Sequence, residues 1–155
     1  FYMIKLPYWH QLPDLDLYLD QVLILINDLI VEPTLSEEKG LTASMINNYV
    51  KHHHIEKPIK KKYRKSQVAR LIAITFLKNV FPIQHISQTL KMLSEDYDSE
   101  TLYNSFVKCL AKDQDNEMEV PAIIQSACQT VILYYQTQAL ITDYKGEKNN
   151  EHDTI

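Results

Sequence analysis

The chain has 155 residues, 45% hydrophobic and 23% charged, with a formal net charge of −4. That length suffices for one sizeable core, or for a small domain with an appended helical extension, and its two glycines, Gly40 and Gly146, exclude a glycine-rich phosphate cradle or dinucleotide fingerprint. The total hides a split: residues 41–92 hold ten Lys and Arg but one acid, Glu56, a net of +9, against −5 for residues 1–40 and −8 for residues 93–155.

In chain order, Phe1 to Lys5 has no basic stretch ahead of a long apolar one, so no signal peptide is expected. Pro7 and Pro13 punctuate a lead-in containing the only tryptophan, Trp9. From Asp14 to Val31, Leu15, Tyr18, Leu19, Val22, Ile26, Leu29 and Ile30 recur at helical spacing. Leu17, Leu23, Leu25 and Val31 widen that face, which predicts a deeply buried or interfacial helix. The run is broken by Asn27-Asp28 and is too short and polar to span a membrane. Glu32 to Gly40 is a polar connector.

Thr42 is placed to cap a short helix carrying Met45, Ile46, Tyr49 and Val50 and stopping near Lys51 to His53. His54 to Tyr63 reads as a basic loop around Lys60-Lys61-Lys62. Ser66 is expected to cap a third helix through Val68, Leu71, Ile72, Thr75, Phe76 and Leu77. Pro82 opens a fourth with Ile83, Ile86, Leu90 and Leu93 on one side. Ser94 to Ser99 is an acidic connector, and Glu100 to Leu110 a fifth helix. After a loop over Asp113 to Glu119, Pro121 opens a last helix to about residue 142. Val120, Ile124, Ala127, Val131, Tyr134 and Ile141 there form a heptad-like seam. Gly146 to Ile155 reads as a polar, frayed tail. The expected fold is all-α: a covering helix in residues 1–40, a basic unit in 41–93, a C-terminal helical region in 94–145 and a flexible tail in 146–155.

On a helix from Ala43 to Lys51, Ile46, Tyr49 and Val50 face the core while Ser44, Asn47, Asn48 and Lys51 lie largely opposite. Asparagine can bond bidentately to an adenine edge, and serine and lysine can reach phosphate or guanine. Lys60, Lys61, Lys62 and Arg64 can each neutralise a phosphate, with the Tyr63 ring as anchor. Neighbouring helical residues point about 100° apart, so His52-His53-His54 is a poor metal triad and suits solvent or phosphate contact. No cofactor, metal or catalytic set is expected, and Cys109 and Cys128 read as reduced, buried thiols of a cytoplasmic protein.

The order short helix, basic loop, longer helix, short helix in residues 42–93 resembles the winged helix-turn-helix of MerR proteins. Met45-Ile46-Asn47-Asn48-Tyr49-Val50-Lys51, followed by Ile55 and Pro58, is similar to the second MerR helix and the chain leaving it. Lys61 and Tyr63 fall where the MerR wing has an arginine and a tyrosine. Leu71, Ile74 and Leu77, then Ile83, Ile86 and Leu90, match its next two helices. The string from Leu41-Thr42 through Lys51, with Pro58 and Lys61-Lys62-Tyr63, is closer still to an uncharacterised Gram-positive bacterial domain-of-unknown-function family grouped with MerR-like proteins. The chain departs from MerR at Asn47, where many members have a phosphate-binding arginine, at His53, where they have glycine, and in its longer first connector.

The resemblance and the charge split together imply a transcriptional regulator that binds double-stranded DNA through Thr42, Ser44, Asn47, Asn48, Lys51, His52, Lys60, Lys61, Lys62, Tyr63 and Arg64. It would dimerise through its C-terminal helices and could answer to a small-molecule effector. The alternative is a protein-interaction module whose basic face meets an acidic partner or the chain's own acidic C-terminal part.

Overall fold

A computed structural model of the chain describes residues 4–30, 40–113 and 119–153. The connector expected over Glu32–Gly40 lies outside them except for Gly40, as does most of the Asp113–Glu119 loop. The described residues form six α-helices and one two-stranded antiparallel sheet: β1 (Leu17–Tyr18), α1 (Leu19–Asp28), α2 (Ala43–Lys51), β2 (Lys62–Tyr63), α3 (Lys65–Leu77), α4 (Ile83–Leu93), α5 (Ser99–Ala111) and α6 (Ala122–Asp153). The protein is thus mainly helical.

Helix α3 is the axis of the core. Val68, Ala69, Leu71, Ile72, Ala73, Ile74, Phe76 and Leu77 are all buried, so α3 is enclosed around most of its circumference. The sequence gives the broad apolar face to α1, expected as a covering helix that is deeply buried or interfacial; of its residues Val22 and Ile26 are buried, while Ile24 is 65% exposed. The difference arises from neighbours. Helix α3 packs against α1, α4, α5 and α6, whereas α1 covers one side of the core.

Three element boundaries differ from expectation. Asp14 to Tyr18 is not helical, because Leu17 pairs with Tyr63 and Tyr18 with Lys62 across the β1–β2 ladder. A two-residue strand carries no periodicity of its own; its partner, distant in sequence, supplies the hydrogen bonds. Ser66 lies inside the first turn of α3 and does not cap it. The cap residue is Arg64, whose backbone N–H donates to Gln67 Oε1 at 2.7 Å. Helix α6 continues through Gly146 to Asp153, beyond the expected stop near residue 142. Lys62–Tyr63, expected as loop in an all-α fold, is strand β2, whereas the helix starts agree: Thr42 caps α2 by accepting from the Met45 N–H at 3.2 Å, and Pro82 precedes the first turn of α4.

The apolar seam of α6 is used within the chain. Ile124, Cys128, Val131, Ile132 and Tyr135 are buried, and α5 and α6 form the most extensive helix pair. Tyr135 packs on Phe76 with ring centroids 5.8 Å apart and accepts a hydrogen bond from Asn79 Nδ2 at 2.8 Å. Leu133, Leu140 and Tyr144 face outward at about 60% exposure, leaving a second apolar row.

Candidate nucleic-acid interface

Two clamps position α2 and the basic segment that follows it. Asn27 at the end of α1 donates from Nδ2 to the Leu41 carbonyl at 2.9 Å and accepts the Leu41 N–H at 2.8 Å. A Cβ on Gly40 (φ +72°) would lie 2.5 Å from Asn27 Oδ1, so this close approach requires glycine. The second clamp is Gln67, buried in α3. Its Oε1 holds Arg64 N–H while its Nε2 donates to the Glu56 carbonyl at 2.7 Å. One side chain thereby ties both ends of residues 56–64 to the core helix.

Between those ends the chain makes a tight hairpin. Ile59 and Lys62 exchange both backbone hydrogen bonds, at 3.1 and 3.0 Å. The two residues between them, Lys60 and Lys61, have φ of 51° and 66°. Two consecutive left-handed residues define the primed hairpin turn, which normally takes asparagine and glycine. For lysine that conformation costs about 1–2 kcal/mol per residue. The sequence therefore keeps two cations at an exposed tip at the expense of backbone strain.

Helix α2 presents the other half of the site. Its inward side buries Ile46 and Tyr49, while Ser44, Asn47, Asn48 and Lys51 are exposed and share one shallow depression with Met45. Thr42 is exposed with its hydroxyl engaged in the cap. His52 is the exposed C-cap residue, its ring centroid 6.4 Å from that of His54. Lys62 reaches back over Tyr18, Nζ 5.0 Å from the ring centroid, and stiffens the ribbon by a cation–π contact.

Besides Thr42, two predicted contact residues do not present a free group. Tyr63 is 3% exposed and paired with Leu17, so it anchors the ribbon from inside and its phenol pKa is raised by burial. Arg64 is paired with Glu56 at 2.8 Å, although both side chains are exposed.

The basic block also divides. Lys65 pairs with Asp14 at 2.8 Å and lies 5.6 Å from the centroid of Trp9; this bond holds the Asp14 carboxyl below its usual pKa. Lys78 contacts Met45 Sδ at 4.0 Å, and Arg70 turns inward with its Nε on the His54 carbonyl at 2.7 Å. Lys51, Lys57, Lys60 and Lys61 are exposed and have no carboxylate within ion-pairing distance among the described residues. The acids of residues 93–155 make no ion pair with the basic block among the described residues.

Gln67, Arg70 and Lys57 were not among the predicted site residues. Gln67 had a usable signal, since a glutamine three residues past a helix start is half of a capping box. Among the described residues no three His, Cys, Asp or Glu side chains gather closely enough to hold a metal ion. No described helix is long and apolar enough to cross a membrane.

The family model described as "Domain of unknown function (DUF1836)" matches residues 7–106, which includes both clamps, α2, the hairpin and all of α3 and α4. No curated protein and no solved structure matches the chain.

Proposed function

The chain belongs to the DUF1836 family, and we propose that it acts as a double-stranded DNA-binding protein, a transcriptional regulator with a MerR-like helix-and-wing reader. Helix α2 enters the major groove through Ser44, Asn47, Asn48 and Lys51, and the Lys60–Lys61 tip lies on the adjacent phosphates. The observation that carries this reading is the pairing of that polar helix face with a strained hairpin tip whose two lysines, Lys60 and Lys61, meet no carboxylate among the described residues. Phosphate contacts of the tip fix register and the asparagines read base edges. The described acids of residues 93–155 make no ion pair with the tip, which favours a polyanion over self-neutralisation.

A dimer would place two such readers on a two-fold site. With the inner seam of α6 committed to α5, the pairing surface is the outward row Leu133, Leu140 and Tyr144. The proposed place of action is the cytoplasm, with no cofactor and no catalytic step.

Selection of preferred duplexes from a random pool, at stated salt, tests the proposal. The wild-type chain is expected to enrich a short motif, and Asn47→Ala with Asn48→Ala to lose its adenine preference while keeping general affinity. Failure of the wild type to retain any duplex at low salt overturns it.

A further inference from the structure

A cleft of about 550 Å³ opens between α3, α4, α5 and the first turn of α6. This falls within the roughly 300–1,000 Å³ typical of small-molecule sites. Its lining is mostly apolar, with Ala73, Leu90, Phe106 and Ile124 contributed by four different helices. The basic side chains in that lining are Arg70 and His85, and Arg70 is the one that always carries charge. Its Nε is held by the His54 carbonyl at 2.7 Å, and no carboxylate lies within ion-pairing distance of it among the described residues. Glu56, the acid whose field reaches it, is bonded to Arg64. Burial pulls the guanidinium pKa below its ordinary value, so the surroundings disfavour the charge that arginine nonetheless carries. A partly desolvated cation beside an apolar cavity, with no counter-ion among the described residues, favours an anion at that end.

We propose that the cleft binds a small amphipathic carboxylate, its apolar body against α5 and α6 and its carboxylate on the Arg70 fork. The guanidinium matches a carboxylate in bidentate geometry. A neutral apolar molecule would leave Arg70 uncompensated, and a cationic one would be repelled by it. The site does not depend on the DNA-binding proposal, but it adjoins the same machinery. His54 lies three residues past the end of α2, and its Nδ1 lies 2.6 Å from Ser87 Oγ on α4. Occupancy of the cleft therefore bears on the segment joining α2 to the hairpin.

Calorimetric titration of the full chain without DNA tests this, using decanoate, 1-decanol and decyltrimethylammonium below their aggregation limits. Decanoate is expected to bind with a stoichiometry of one and to raise the melting temperature. Decanol should bind at least about tenfold more weakly, and the ammonium compound not at all. Arg70→Gln should bring decanoate down to the level of decanol, while Arg70→Lys keeps part of the preference. Ala122→Trp, at an exposed rim position that leaves the core untouched, should weaken decanoate and decanol together. Equal binding of decanoate and decanol to the wild type overturns the proposal, as does unchanged decanoate binding by Arg70→Gln. So does a chain that binds none of the three probes, including one whose cleft is covered by a second copy. Because no duplex is present, failure here is distinct from failure of DNA binding.

Discussion

Gln67 donates to the backbone carbonyl of Glu56 at 2.7 Å from within α3, eleven positions along the chain, while its carbonyl oxygen takes the Arg64 N–H. The basic hairpin is thus fastened at both ends by one buried amide, and its placement beside α2 follows from the core.

Replacing Gln67 with Leu leaves the Glu56 carbonyl and the Arg64 N–H without that partner. The expected loss is about 1–3 kcal/mol of unfolding free energy, read from the urea midpoint. A change of only a few tenths would show that the ribbon holds its place without this clamp.

Lys60→Asn with Lys61→Gly should separate stability from binding. Asparagine and glycine tolerate the left-handed turn, so relief of strain should stabilise the fold by about 1–3 kcal/mol. Loss of two phosphate contacts should make the salt dependence of duplex affinity shallower by roughly 1.8 in log–log slope. A variant that is less stable, or that binds duplex as tightly as the wild type, contradicts the assignment of the tip.

Stability should fall on the acid side through His54. Its pKa is lowered from 6.5, chiefly by burial and then by the charges of His52, Arg70 and His53. The unfolded chain therefore takes up a proton where the folded one resists it. Stability from this residue is flat above about pH 6.5 and declines as pH falls from there toward the folded pKa. His54→Gln should remove that decline between pH 7 and 5 in chemical denaturation. An identical pH profile for both proteins would exclude the mechanism.

Leu133→Glu with Leu140→Glu should leave helix content unchanged, since both side chains are about 60% exposed. Sedimentation should report a dimer for the wild type and a monomer for the variant. A monomeric wild type at micromolar concentration would remove the proposed dimer surface.

Much of this architecture was legible before the structure, and what was not has identifiable causes. Helix α2 could be bounded because Thr42 caps it and its polar and apolar faces separate by period. The hairpin was legible only as a charge run, since lysines occupy turn positions usually signalled by asparagine and glycine. β1 was read as helix because Leu15, Tyr18 and Leu19 fit helical spacing, whereas the ladder to Lys62 depends on tertiary contact. Arg70 is one of ten basic residues in the 41–92 block, and nothing in the sequence marks its inward turn, which is set by the His54 carbonyl. Of the expected α6 seam, Ile124 and Val131 are buried while Ile141 is exposed, and Cys128, Ile132 and Tyr135 complete the inner face; periodicity alone does not distinguish a partner in the same chain from one in a second copy.

The most direct test is fluorescence anisotropy of a labelled duplex over a range of salt concentrations, comparing the wild type with Lys60→Glu/Lys61→Glu. The predicted result is submicromolar binding at low salt, with log affinity falling linearly as log salt rises, and a weakened, flatter dependence in the variant for every duplex sequence. No measurable wild-type affinity at about 50 mM salt, or superimposable curves for the two proteins, would contradict the DNA-binding account.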